Sequence, residues 1–507
     1  MILFSVLFWT TIVSISNCQI NSVVEIKINS TYCSTTCHGM NFPSIHEVVS
    51  FEPDNNNHQT SILFESSTFS NFPLNLFTAF ENLTELDMRN CSISHITWEN
   101  FLYAVNLKVL FLSNNSLTKI DDLVFSYALN MQFLWIENNR IRSLVSESFK
   151  GLTQLKYLSL LGNRIVYLPD GVFDDLRSLE VVILAENKIK YIQDNLFTRS
   201  PDILSIDLKN NRIHNISDNA FKGLEHVMNL DISQNKPLRS LILNVDASHF
   251  YADSCSLRQL NIYGRVNFAL LNGNRILELY FSQPEALQRL DLKNNSLQQI
   301  ASLTRAYNLE ILDLSDNPKL ESVPDPWGVV SLQKLDLSNT GLKEFPQSIL
   351  AKKGTPWKLH FLNISSNLIK EIDPKIFVRL ENITNFYFHE NNWNCYHLRL
   401  MMDLLIKPKQ MAYSNDEFDP LFPGEYIAGI KCMYRTLEDE DETPASTKKN
   451  LSTVDAVEEL RNELKTIIQF YEGKFAKVIE ALNGLKSRLD TLTAENATVW
   501  QHITLTT

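Results

Sequence analysis

The chain has 507 residues, with 46 Lys and Arg against 58 Asp and Glu, a net charge of −12. A hydrophobic share of 44% and a charged share of 21% exclude a disordered tail protein, and the length exceeds what one small core needs. The acidic balance argues against nucleic acid as a partner, and 14 glycines are few for a fold built on phosphate-cradling loops.

Residues 1–18 read as a secretory signal, because an apolar run from Ile2 to Val13 precedes Ser16-Asn17-Cys18, with small residues three and one before the expected cut. No later run of 18 apolar residues follows, so no membrane anchor is expected and the mature protein is read as secreted. Six of the seven cysteines then remain in a disulfide-permissive compartment. Ten N-x-S/T sites point to the same compartment: Asn29, Asn82, Asn90, Asn114, Asn215, Asn294, Asn363, Asn382, Asn450 and Asn496.

An N-terminal cap is expected over 19–58, with Cys33-x3-Cys37 closing a local disulfide. From 59 to 392 the pattern L-x-x-L-x-L-x-x-N recurs, as in Leu155-x-x-Leu158-x-Leu160-x-x-Asn163. Its last position falls at Ser67, Cys91, Asn115, Asn139, Asn163, Asn187, Asn211 and Asn235, in steps of 24 residues. It then loosens to Arg265, Asn295, Asn317, Thr340, Asn367 and Asn391. This predicts an α/β solenoid, a leucine-rich-repeat horseshoe of about 14 repeats. The L-x-L alternation makes a short strand with one face inward, and the buried Asn pairs backbone groups where the chain turns away. Phe125, Phe149, Phe173, Phe197, Phe221 and Phe377 are expected to fill the convex side. Between Lys236 and Pro284 two 30-residue steps through Arg265 suggest insertions, a kink or a binding loop.

A C-terminal cap is expected over 393–436, with a helical stretch from Leu398 to Ile406 and a Cys395–Cys432 bridge. An acidic linker, 437–450, leads to a predicted coiled coil over 451–500. Its core positions include Val457, Leu464, Ile468, Tyr471, Phe475, Val478, Leu482, Leu485, Leu489 and Leu492, expected to form homo- or hetero-oligomers. The alternative is an amphipathic helix folded back on the repeats.

No H-E-x-x-H, G-x-S-x-G, C-x-x-C or Walker loop occurs, so neither an enzyme nor a cofactor is expected. The informative positions flank the strand leucines. In several repeats the middle one is Asp: Asp207, Asp231, Asp291, Asp313 and Asp336. In four successive repeats the strip reads differently, carrying Val109 and Phe111, then Phe133 and Trp135, then Tyr157 and Leu161, then Val181 and Ile183. Such a strip is a candidate ligand-binding patch; the bland readings are an inert patch or one covered by the N-terminal region.

With signal, repeats, a cap opened by Trp393-Asn394-Cys395 and a terminal coiled coil, the chain resembles the mosquito leucine-rich-repeat immune proteins of the LRIM type. The resemblance implies a secreted haemolymph protein of innate immunity. It would pair through its coiled coil and hold a complement-like thioester protein as partner. Family members often carry a double-Cys motif where this chain has Cys432-Met433, which leaves Cys255, and less readily Cys91, as free thiols or intermolecular bridges. An extracellular adhesion or matrix protein is the alternative, and a receptor binding a microbial glycan directly is a third reading.

Overall fold

The computed structural model describes residues 60–323, 329–345, 358–372, 382–403 and 412–434, with the backbone of strands Ser34–His38 and Asn41–Phe42. Cys33 and the side chain of Cys37, Phe377, the linker and every heptad position lie outside the described residues, as do Asn29, Asn450 and Asn496.

The described chain is a succession of turns whose strands form one 16-stranded sheet, each strand pairing in parallel with that of the next turn. The strand leucines explain it: Leu110, Leu134, Leu158 and Val182 are fully buried at the middle of consecutive strands. Residues on either side of them face the concave surface.

The turn away from each strand is held by the expected amide ladder. The Asn163 side-chain N–H donates to the carbonyls of Ile136 (2.8 Å) and Leu160 (3.0 Å), and its Oδ1 accepts from the Ile141 N–H at 3.1 Å. Asn187 repeats this one turn later with Leu160, Leu184 and Ile165. Buried backbone groups left unpaired would each cost about 1–3 kcal/mol, which is why an amide recurs at this place. The predicted Phe residues form a stacked spine on the convex side, with centroids 6.2 Å apart for Phe149–Phe173 and 5.7 Å for Phe173–Phe197.

One expectation is corrected. Arg265 is not a ladder residue; it sits exposed in a loop, where its N–H donates to Asp246 Oδ1 at 2.6 Å. The ladder passes instead through Cys255, whose thiol donates to the Ile232 carbonyl (3.3 Å), and Asn274, which bonds the carbonyls of Ala252 and Leu271. Steps from Asn235 to Asn295 are therefore 20, 19 and 21 residues, and no insertion is present. Units this short cross the convex side in extended form. Ser240–Leu243, Gln259–Ile262 and Glu278–Phe281 pair there as a three-stranded parallel sheet.

The far end is closed as expected by Cys395–Cys432, with Cα atoms 4.9 Å apart. Trp393 is buried and its indole N–H donates to the Phe388 carbonyl at 2.8 Å. Asn394 caps the helix Cys395–Met401 by accepting from the Tyr396 N–H at 2.9 Å, so the helix starts three residues before the expected Leu398.

Candidate binding site: the concave sheet face

Strand register assembles the predicted strip. Val109, Phe133, Tyr157 and Val181 are direct cross-strand neighbours, and so are Phe111, Trp135, Ser159 and Ile183. Leu161 lies on a third row, two residues beyond Ser159. All eight predicted residues are half-buried, none fully exposed.

Their rings cover one another. Phe111 stacks on Trp135 with centroids 4.5 Å apart and planes at 15°, Trp135 meets Tyr157 at 5.0 Å, and Phe133 lies parallel to Trp135 at 5.9 Å. Such contacts add about 0.5–1.5 kcal/mol each beyond burial, so the rings hold each other in place before any ligand arrives. Burial pushes the Tyr157 phenol above its ordinary pKa, and the Glu137 charge adds to the shift. Glu137 itself accepts from the Ser159 hydroxyl at 2.6 Å.

The first repeat ends the stack with a residue the sequence reading missed. The Arg89 guanidinium sits 5.0 Å from the Phe111 centroid and is clamped by Asp87 through bonds of 2.9 and 2.5 Å. That clamp raises the Arg89 pKa further, while burial and the neighbouring Asp87 raise that of Glu85. The strip is thus an apolar platform with charged groups at its N-terminal border and Asp207 at the other.

A second aromatic group was hidden by the misplaced ladder. Once Cys255 and Asn274 are the turn residues, His249, Tyr251, Phe268 and Leu270 become the strand-flanking positions, paired as His249↔Phe268 and Tyr251↔Leu270. The His249 ring lies flat on Phe268, with centroids 4.6 Å apart and planes at 6°. The alternating pattern around Phe250, Ala252, Ala269 and Leu271 was the signal available for finding them.

Among the described N-x-S/T sites, Asn82, Asn90, Asn114, Asn215, Asn294 and Asn382 are exposed and lie off the strip. Asn363 differs: it is half-buried on a concave strand, donates to Asp336 at 3.1 Å, and accepts from the Ser365 N–H and hydroxyl. Cys91 and Cys255 are free and fully enclosed at ladder positions, and burial pushes both thiols up to about 12. Neither sulfur reaches the surface, so the intermolecular bridge considered for them would require opening the ladder. No group of three or more metal-ligating side chains is placed together among the described residues, and no described helix is long and apolar enough to cross a membrane.

Fold and face together define a leucine-rich-repeat solenoid whose concave face carries a contiguous group of aromatic side chains. The comparisons with known proteins agree on the fold. The leucine rich repeat family profile matches residues 81–134, 129–189 and 177–236. The chain is similar to one chain of the LRIM1/APL1C complex, with 20% identity and a TM-score of 0.60, over 94% of this chain and 79% of that one. It is also similar to the APL1 leucine-rich repeat domain, with 19% identity and a TM-score of 0.58, over 79% of this chain and all of that one. Among curated proteins, human oligodendrocyte-myelin glycoprotein is 26% identical over 208 residues, 41% of this chain and 45% of the relative. The chain thus spans less than half the length of the curated relative it matches.

Proposed function

We propose that this chain is an extracellular innate-immune recognition or scaffold protein that acts by protein–protein binding, with the strip from Val109 to Ile183 as its contact surface. The observation that carries the reading is the contiguity of that strip: three neighbouring strands present Phe111, Phe133, Trp135 and Tyr157 as one pre-stacked, half-exposed group. Rigid aromatic side chains of this kind are the usual anchors of protein interfaces.

The immune setting rests on the resemblance in repeats, cap and heptads, which also names a complement-like thioester protein in haemolymph as the partner and the segment 451–500 as the pairing element. Direct glycan binding is less well supported. A sugar stacks on a free ring face, and here Phe111 and Tyr157 already lie against Trp135.

Affinity capture from body fluid with the full-length tagged protein tests the proposal. Phe133→Ala combined with Trp135→Ala is expected to lower recovery of the partner by at least about 30-fold in affinity while secretion is retained, the loss expected of two anchor residues. Undiminished capture by the secreted double variant would sink the strip as the contact surface.

A further inference from the structure

The middle of the concave sheet carries chemistry that the strip does not. Along one register row run Asp231, Tyr251, Leu270 and Asp291, and beside it run Asn229, His249, Phe268 and Arg289. Asp253 lies two residues past Tyr251, its carboxylate accepting from the Asn272 N–H at 3.0 Å. Tyr251, Phe268, Leu270 and all three aspartates are half-buried, open to solvent on the concave side. The rings are preset: His249 stacks on Phe268 at 4.6 Å and lies parallel to Tyr251 at 6.3 Å.

We infer that this aromatic platform, bordered by Asp231, Asp253 and Asp291, seats an arginine or lysine side chain projecting from a protein partner. Ring faces attract a cation within about 6 Å, and carboxylates around them supply charge-assisted hydrogen bonds. The nearby cations do not fill the place. Lys293 pairs with Asp316 at 3.6 Å, and Arg289 and Lys209, which lower the pKa of Asp291 and Asp253 through their charge, make no ion pair with them among the described residues. Burial first holds Asp253 and Asp291 above the ordinary carboxylate pKa; the charges of Asp291 and Asp231 add to this at Asp253 and that of Asp313 at Asp291, a load that an incoming cation relieves. A second copy of this chain is a poor occupant, because the net charge is −12. The inference rests on the reading that the concave face binds protein, but not on the strip at Val109–Ile183.

The test titrates the full-length protein at low salt with a nine-residue Gly-Ser peptide carrying three arginines. The same peptide with citrulline at those positions, equal in shape and uncharged, serves as reference. The arginine peptide is expected to bind at least 10-fold more tightly. Tyr251→Leu and Phe268→Leu, which keep apolar volume and lose the ring, should each weaken it about 5-fold or more, and Asp291→Asn should do likewise. Asp313→Asn, one turn further along the same row, should change it less than twofold.

Equal binding of the two peptides would overturn the inference. So would ring variants that leave affinity unchanged while Asp313→Asn lowers it as much as Asp291→Asn, the mark of diffuse attraction. A sedimentation shift of the peptide-free protein on Tyr251→Leu would assign the face to a second copy, which also overturns it. Phe133→Ala with Trp135→Ala should leave peptide affinity intact. If that pair abolishes partner capture while arginine and citrulline peptides bind alike, this inference falls and the proposed function stands.

Discussion

The regular turns from Leu107 to Asn235 and the compressed turns from Asn235 to Asn295 solve one problem in two ways. Both bury a ladder and a row of strand residues, yet they fill the convex side differently. In the regular turns 24 residues leave room for a Phe per unit, and the rings of Phe125, Phe149, Phe173, Phe197 and Phe221 stack along the solenoid. In the compressed turns the convex side is filled by strands paired through their backbones, and the chain closes so tightly that Gly264 lies against Val245. One region is held by side-chain volume, the other by close backbone approach. They should therefore fail to opposite substitutions.

The largest effect is expected in the Phe spine. Phe173→Ala removes a fully buried ring between two stacked neighbours and should cost about 4 kcal/mol, read as a lowered urea midpoint. The compressed turns should tolerate loss but not gain. A Cβ added at Gly264 would lie 1.9 Å from the Val245 carbonyl oxygen, so Gly264→Ala must move backbone. A cost of about 2 kcal/mol is expected, with amide exchange accelerated over 240–281 and unaffected near Phe173. Acceleration spread evenly along the chain would mean that the two regions do not differ in what holds them. At Gly162 the same substitution meets only the Asn138 side chain, which can swing aside, although a positive φ still strains the new residue.

Most of the regular region was legible because its signature is redundant. Leu, Leu, Leu and Asn recur at fixed offsets, so the sheet register and the cross-strand neighbours of Trp135 follow by counting 24. The Cys395–Cys432 bridge was legible from its place at the end of the stack. The compressed turns were not, for two physical reasons. Their inward positions include Ala247, Ala252, Val266 and Ala269, since a shorter unit has less interior to fill, and small residues break the leucine pattern. At Cys255 a thiol replaces the amide, offering one weak donor where Asn offers two donors and an acceptor. Placing the ladder at Arg265 followed from those two gaps, and it concealed His249, Tyr251 and Phe268. The Arg89 clamp was invisible for another reason: it depends on a side chain folding back onto Asp87 two residues earlier, which periodicity does not encode.

The concave side extends the comparison to charge, where the smallest effect is expected. In the regular turns the strip carries rings; further along, Asp207, Asp253 and Asp291 are half-buried carboxylates whose pKa burial raises, helped by the charges of their neighbours. For Asp253 the folded-state value is pushed up to about 6 from an ordinary 3.8, with Asp291 and Asp231 adding to the desolvation and Lys209 opposing it. Between about pH 4 and pH 6 the folded chain therefore holds a proton that the unfolded chain has released. Stability must fall as pH rises through that window, and be greatest below it as far as this group is concerned. Solvent screening at a partly exposed carboxylate limits the change to on the order of 1 kcal/mol. Asp253→Asn should flatten that part of the stability–pH profile, measured by urea unfolding at pH 4, 5, 6 and 7, and Phe173→Ala should shift the whole profile down without changing its slope. An unaltered slope in Asp253→Asn would assign the pH dependence to Asp207 and Asp291, where the same burial acts.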